Sequence, residues 1–250
     1  MHQFFVEPVQ IHLNDRRVII LGEDVNHIRN VLRMKPGEEL NVSNGEDGRE
    51  YRCAILALED AQVLCELRFV KEAQVELPSR IHLFQGLPKG DKMECIIQKC
   101  VELGVYQIIP VAMKRCVVKL DGKKAQAKVA RWQGIAQAAA KQSKRGVVPE
   151  VTEVVDFVRA MEMAVDMDVR LLPYELAEDM GQTRQAIERL VPGQSIAIFI
   201  GPEGGFDEAE VARAVEGGAL PVTLGRRILR TETAGMTVLA WLVYRLEGIN

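Results

Sequence analysis

The chain has 250 residues, 48% of them hydrophobic and 27% charged, with 32 Lys and Arg against 35 Asp and Glu. This composition is typical of a globular protein of one or two domains and excludes a disordered chain. Five cysteines without a C-x-x-C pair exclude a disulfide framework and a zinc ribbon. Because free thiols suit a reducing compartment and no apolar stretch approaches the ~20 residues of a membrane span, we expect a cytoplasmic protein without a membrane or metal partner.

The first 72 residues predict a small β-rich domain, in which a helical segment at 23–34 follows the first strand. Apolar or partly alternating runs predict strands at 17–21, 39–42, 50–58 and 61–70. This pattern indicates a barrel-type fold. Residues 73–79, which include Pro78, are predicted to be a linker.

From residue 80 onward, short continuous apolar runs alternate with helical patterns. The predicted strands lie at 81–84, 107–111, 169–172, 195–200 and 219–224, and the predicted helices at 93–101, 123–142, 179–190, 207–216 and 231–246. Asp91 followed by Glu94 predicts a capping box, and Asp207 predicts an N-cap. The alternation predicts an α/β domain whose parallel sheet is covered by helices on both faces.

Charge is distributed unevenly along this chain of net charge −3. Residues 114–145 contain ten basic residues and one acid, so this segment carries +9 and the remainder carries −12. Such asymmetry is typical of a protein that binds a polyanion through one face, although a solvated lysine-rich helix has the same composition.

Two polar loops each follow a predicted strand and precede a predicted helix. The first, at 200–206, reads Ile-Gly-Pro-Glu-Gly-Gly-Phe, and the second, at 225–234, contains three Arg, one Glu and two Thr. Ligands of open α/β sheets bind at the carboxyl ends of strands, where glycines let the backbone approach them closely. Plain strand-to-helix turns are the alternative. Neither a G-x-G-x-x-G nor a P-loop motif is present, which argues against a dinucleotide-dependent oxidoreductase.

The two loops resemble the signature of the RsmE family of ribosomal RNA uridine-N3 methyltransferases. The matching residues are Gly201-Pro202-Glu203-Gly204-Gly205 and Leu224-Gly225 with Arg227-Ile228-Leu229-Arg230-Thr231-Glu232-Thr233. Further family motifs are matched at 27–33, 89–99, 102–105, 118–121, 142–145 and 148–150. The resemblance implies a PUA-like β-barrel RNA-binding domain at 1–72, a linker at 73–79 and a SPOUT-type α/β methyltransferase domain with a trefoil knot at 80–250.

The resemblance also implies the reaction and the partners. The family transfers a methyl group from S-adenosylmethionine to N3 of a uridine in 16S ribosomal RNA of the small subunit, and it works as a homodimer. Arg230 is the candidate for stabilising charge on the uracil oxygens, and Glu232, with Glu203 second, for accepting the N3 proton. The expected cofactor-binding residues are Leu172, Gly201, Glu203, Gly204, Gly205, Leu224, Gly225, Ile228, Leu229 and Thr233.

Basic residues in both predicted domains are expected to contact RNA phosphates. They are Arg29, Arg33, Lys114, Arg115, Lys119, Lys123, Lys124, Lys141, Lys144, Arg145 and Arg227. Two alternatives stay open: a non-catalytic RNA-binding or ribosome-assembly module, and a SPOUT enzyme with another RNA target, such as ribose 2′-O methylation.

Overall fold

The computed structural model describes residues 1–120, 122–177 and 179–247, and the chain divides into two compact units. The first unit consists of Met1–Glu76 and Ala140–Val148, and the second of Leu77–Ala139 and Pro149–Asn250. The first division falls inside the predicted linker. Residues 140–148, expected in the second domain, pack with the first unit instead. Asp121, the last residue of one matched motif, lies outside the described residues.

The first unit is built on one six-stranded sheet. Its strands are β1 (Gln3–Phe5), β2 (Ile11–His12), β3 (Arg17–Leu21), β4 (Glu39–Ser43), β5 (Arg49–Leu58) and β6 (Gln62–Glu72). They lie in the order β1-β4-β5-β6-β3-β2; β1 pairs with β4 in parallel and the other pairs are antiparallel. The helix α1 (Glu23–Asn26) continues into a short π-helix at His27–Val31. The four predicted strands and the helical segment are confirmed; the short β1 and β2 were not predicted.

Polar contacts explain why residues 140–148 belong to this unit. The Gln3 amide donates to the carbonyl oxygen of Arg145 over 2.9 Å, and the Val148 N–H donates to the Gly45 carbonyl over 2.9 Å. The Arg145 guanidinium binds the Glu76 carboxylate, which also accepts from the Gly146 N–H. The spacing of apolar residues does not predict such long-range polar contacts, so the sequence did not indicate that residues 140–148 join the first unit.

The second unit is built on a seven-stranded parallel sheet, whose strands alternate with helices along the chain. The strands are β7 (Arg80–Gly86), β8 (Gln107–Ala112), β9 (Glu150–Val151), β10 (Val155–Asp156), β11 (Val169–Pro173), β12 (Ser195–Ile200) and β13 (Leu220–Val222). The helices are α2 (Lys92–Glu102), α3 (Gly122–Gln142), which ends in the first unit, α4 (Phe157–Ala164), α5 (Met180–Glu188), α6 (Glu208–Glu216) and α7 (Thr231–Glu247). Each predicted strand and helix of this region is present; β9, β10 and α4 were not predicted.

All strand pairs of this sheet are parallel, in the order β10-β8-β7-β12-β11-β13, with β9 beside β8. The central strand β12 is buried from Ile196 to Ile200, because a parallel strand is covered on both faces. Phe199 stacks on Phe84 of the neighbouring β7, with ring centroids 4.6 Å apart. The prediction of a parallel α/β sheet is confirmed, and its knot stays a prediction.

The two expected helix caps have different outcomes. The Asp207 carboxylate accepts from the Ala209 N–H, and the Glu210 carboxylate accepts from the Asp207 N–H, which completes a capping box on α6. The capping box predicted at Asp91 is wrong, since its side chain makes no cap hydrogen bond. Glu94 pairs instead with Arg131 of α3 at 2.9 Å, so a tertiary ion pair replaces the local one.

Candidate functional site

A pocket of about 420 Å³ lies at the carboxyl ends of three neighbouring strands, β12, β11 and β13. Its lining consists of Lys92, Ala234 and residues 173–175, 200–203, 205–206 and 223–231. This volume falls within the range of small-molecule sites, and the position is the one where open α/β sheets bind ligands. Both polar loops singled out in the sequence therefore meet in one pocket.

Most of the predicted cofactor-binding residues line this pocket, together with Arg227 and Arg230. They are Gly201, Glu203, Gly205, Leu224, Gly225, Ile228 and Leu229. Three others do not line it, and their contact with a cofactor stays a prediction. Leu172 is fully buried within β11. The Gly204 carbonyl accepts a hydrogen bond from Arg115, and Thr233 lies on the exposed side of α7.

Two glycines let the first loop close against the sheet. Gly205 has a φ of +68°, a conformation that favours glycine. At Gly86, the last residue of β7, an added Cβ would lie 2.7 Å from the backbone nitrogen of Pro202. Since that contact is with backbone, any larger residue at Gly86 would push the loop away from the strand. Gly86 was not among the predicted site residues.

A buried hydrogen-bond network joins the two loops beneath the pocket. The Thr231 hydroxyl donates to the Gly201 carbonyl oxygen over 2.7 Å and accepts from the Gln85 amide over 2.9 Å. The same amide nitrogen donates to the Gly86 carbonyl. The ends of β7 and β12 and the start of α7 are thereby tied to one another.

Lys92, Glu203 and Glu232 form a charged cluster at the edge of the pocket. The Lys92 ammonium lies 2.8 Å from Glu203 Oε1 and 3.9 Å from Glu232 Oε2. Burial alone would raise the pKa of Glu203, but hydrogen bonds from Lys92 and from the Lys89 N–H outweigh it and hold the pKa below its ordinary value. Glu203 is therefore an anchored anion, which favours Glu232 over Glu203 as the proton acceptor. Glu232 is beside the pocket rather than in its lining.

The start of α6 fixes the segment that follows β8. Glu210 is buried and accepts from the Lys114 N–H over 2.8 Å, while Asp207 lies 3.0 Å from the Lys114 ammonium. The Lys114 ammonium, with a smaller contribution from Arg115, holds the pKa of Asp207 below its ordinary range. Two residues expected at the RNA surface, Lys114 and Arg115, thus also hold the first loop in place.

The remaining basic candidates differ in how far their side chains are exposed. Lys119, Lys123, Lys124, Lys144 and Arg227 are exposed. In the first unit, Arg33 is exposed, Arg29 binds Asp60 and the Glu59 carbonyl, and Lys141 binds Asp24 at 2.6 Å. Arg145 needs correction as a phosphate contact, because its side chain is only 5% exposed and its charge is paired with Glu76.

The described residues form neither a metal-binding cluster nor a membrane-spanning helix. Over residues 1–120, 122–177 and 179–247, no three His, Cys, Asp or Glu side chains are grouped in a way that could hold a metal ion. Within the same ranges, no helix is long and apolar enough to cross a membrane.

Comparison with known proteins assigns the chain to a family. Residues 75–243 match the family model for an RNA methyltransferase domain, and residues 20–68 match that for an RNA methyltransferase PUA domain. The ribosomal RNA small subunit methyltransferase E of Bacillus subtilis is 39% identical, with 99% of this chain and 98% of the relative covered. The chain belongs to the RsmE family.

Solved structures of RsmE relatives agree with the fold. The ribosomal RNA small subunit methyltransferase E of Neisseria gonorrhoeae, crystallised with S-adenosylmethionine, is 35% identical with a TM-score of 0.82, and 96% of each chain is covered. A Legionella pneumophila protein with the same cofactor bound is 33% identical with a TM-score of 0.78, covering 96% of this chain and 94% of that one. The family assignment made from the sequence motifs is confirmed, as is the combination of a PUA-like domain with an α/β methyltransferase domain.

Several residues of the site were not predicted from the sequence. Lys92 lies in a matched RsmE motif, but its side chain had no assigned role until the structure brought it to Glu203. Tyr174 and Glu175 line the pocket directly after β11, so the rule that ligands bind at strand ends would have found them. Gln85 is fully buried in a strand, and only its contact with Thr231 reveals what it does.

Proposed function

We propose that this protein transfers a methyl group from S-adenosylmethionine to N3 of a uridine in 16S ribosomal RNA of the small subunit. The observation that carries the proposal is the full-length RsmE match, combined with a pocket built from the two loops that bear the RsmE motifs. A ribosomal substrate would place the protein in the cytoplasm.

The pocket residues fit a nucleoside cofactor. Apolar surface comes from Ile200, Phe206 and Leu229, and the glycines Gly201 and Gly225 in the lining allow an adenine ring to approach the loop backbones closely. Glu175 lines the pocket and makes no hydrogen bond or ion pair within the part of the chain that the structure describes. A free carboxylate at a strand end suits the hydroxyl groups of a ribose.

The cofactor supplies an electrophilic methyl group, so the protein has to orient the reactants and move one proton. Uracil N3 carries a hydrogen at neutral pH. In the proposed reaction Glu232 accepts that proton, and the electron pair left on N3 forms the bond to the methyl carbon. Arg230, exposed at the pocket edge, offers paired donors to the uracil oxygens on which negative charge develops.

The exposed lysines at the start of α3 and just before it are proposed to bind the phosphates around the target. Lys119 and Lys123 form no ion pair among the described residues, so their charges are available to a polyanion. Such contacts orient RNA without reading its sequence. A splayed uridine then enters the site, since a base has to leave its stack before chemistry at a ring nitrogen.

We also propose that the protein is a homodimer. The α7 side chain of Tyr244 is 87% exposed, and Ile228 at the pocket edge is 88% exposed. Large apolar side chains exposed on a helix and beside a site are typical of a surface that a partner covers. Light scattering should therefore give twice the mass of one chain.

Transfer of tritium-labelled methyl from S-adenosylmethionine tests the function, with unmodified small subunits and free 16S RNA as parallel substrates. We expect label in RNA, and we expect Arg230→Ala and Glu232→Gln each to slow transfer by about 10²-fold or more. Tight cofactor binding without transfer to either substrate would favour the alternative of a non-catalytic RNA-binding module.

A further inference from the structure

Lys92 comes from a part of the chain that neither RsmE loop contains. It is the first residue of α2, whereas Glu203 lies in the loop after β12 and Glu232 in the first turn of α7. Its ammonium nevertheless reaches both carboxylates and lines the pocket. Three separate segments of the second unit thus place one cation between two anions.

The two glutamates are held in different ways. Glu203 Oε1 accepts from the Lys92 ammonium at 2.8 Å and from the Lys89 N–H at 3.0 Å. Glu232 Oε2 is buried and has no hydrogen-bond partner in the described part of the chain, and its distance to Lys92 Nζ is 3.9 Å. Buried carboxylate oxygens are ordinarily hydrogen-bonded, so an unsatisfied one requires an explanation.

The formal charges supply that explanation. Two carboxylates and one ammonium give the cluster a net charge of −1, and the close contact commits Lys92 to Glu203. The Glu232 carboxylate is therefore left with a negative charge and with no hydrogen bond to its Oε2 atom among the described residues.

We propose that Lys92 is a positioning residue that gives the two glutamates separate tasks: it anchors Glu203 in the loop and leaves Glu232 unbonded as the proton acceptor. This inference rests on the proposed methyl transfer. The proton leaves uracil N3 and binds a Glu232 carboxylate oxygen, while Lys92 keeps its own protons and its contact with Glu203.

The test compares Lys92→Met with Lys92→Arg, using Lys99→Met as the matched control. Lys99 lies on the same helix and pairs with Glu102 at 2.9 Å, but it does not line the pocket. For Lys92→Met we expect kcat to fall about 10²-fold, the size of a lost general base. The Kd of S-adenosylmethionine by calorimetry should rise by a much smaller factor, because Glu203 keeps its hydrogen bond from the Lys89 N–H. Lys92→Arg should recover most of kcat, and Lys99→Met should match the wild type.

A double variant shows whether Lys92 acts through Glu232. If it does, Lys92→Met combined with Glu232→Gln should have the kcat of Glu232→Gln alone, because residues that act as a unit are not additive. If the double variant instead loses kcat by the product of the two single losses, the inference is wrong. A kcat of Lys92→Met close to that of the wild type would also overturn it, as would a Lys92→Met variant that changes only the cofactor Kd. Wild-type protein that transfers no methyl group would overturn the proposed function together with this inference, so the two failures are distinguishable.

Discussion

The Thr231 hydroxyl donates a 2.7 Å hydrogen bond to the carbonyl oxygen of Gly201, which joins the start of α7 to the end of β12. Thr231 is buried and its oxygen also accepts from the Gln85 amide. The hydroxyl thus acts as both a hydrogen-bond donor and an acceptor within the protein. The contact therefore shapes the pocket before any ligand arrives, and this preorganisation lowers the cost of binding.

Replacing this hydroxyl should weaken both the fold and the pocket. For Thr231→Val we expect a loss of about 1–3 kcal/mol in the free energy of unfolding, because the partly buried Gly201 carbonyl and the buried Gln85 amide lose a partner. The Kd of S-adenosylmethionine should rise about tenfold, measured by calorimetry. Thr237→Val is the control, since its hydroxyl donates to the Thr233 carbonyl within α7 and so does not join the two loops. Equal behaviour of the two variants would show that the contact does not organise the pocket.

The Glu175 carboxylate should contribute to the binding of S-adenosylmethionine by accepting hydrogen bonds from the ribose hydroxyls. Glu175→Gln removes its charge at nearly constant size, and we expect the Kd of S-adenosylmethionine to rise about tenfold, as for one charge-assisted hydrogen bond. Glu162→Gln, at an exposed pair with Arg159, should leave Kd unchanged. A cofactor analogue lacking the ribose 2′-hydroxyl provides the second test. If Glu175 meets the ribose, the variant and the analogue should not have additive effects.

Charge reversal near α3 should weaken RNA binding without affecting the cofactor. The double variant Lys119→Glu with Lys123→Glu should lower affinity for 16S RNA and reduce the slope of log K against log salt by about one per lost phosphate contact. Arg184→Glu is the control, because it reverses the charge of an exposed side chain on α5, in the acidic part of the chain. A slope that stays the same in the double variant would remove these lysines from the RNA surface.

The lowered pKa of Glu203 predicts a dependence of stability on pH. A carboxyl whose folded pKa lies below the ordinary 4.5 stabilises the fold above that value, and the contribution is lost as pH falls through the folded pKa. The difference in free energy of unfolding between wild type and Glu203→Gln should therefore be largest near neutral pH and shrink at acidic pH. Urea unfolding across this range measures it, and a difference independent of pH would contradict the ionic anchoring of the loop.

Sequence patterns predicted the parallel sheet and the pocket loops because these depend on local signals. Continuous apolar runs such as Ile196–Ile200 are dictated by burial on both faces, and Gly205 is required by its positive φ. The N-cap predicted at Asp207 is confirmed, whereas the capping box predicted at Asp91 is wrong because Glu94 pairs with the distant Arg131. Local chemistry is reliable only where no distant partner competes.

The charged cluster and the role of Arg145 could not be predicted in this way. Lys92 and Glu203 are 111 positions apart, and Arg145 and Glu76 are 69 apart, so neither pair leaves a trace in periodicity. The count of basic residues placed Arg145 on an RNA surface, whereas its guanidinium is buried against a carboxylate. Composition shows which charges are present, and the fold decides which remain free.

Identification of the methylated nucleoside tests the central claim most directly. Small ribosomal subunits lacking the modification would be incubated with the protein and S-adenosylmethionine carrying a labelled methyl group, and the RNA would then be digested to nucleosides and analysed by chromatography and mass spectrometry. We predict that the label is found in N3-methyluridine. Label in a 2′-O-methylated or any other nucleoside would contradict the uridine-N3 assignment, and its absence from RNA would contradict the proposed catalysis.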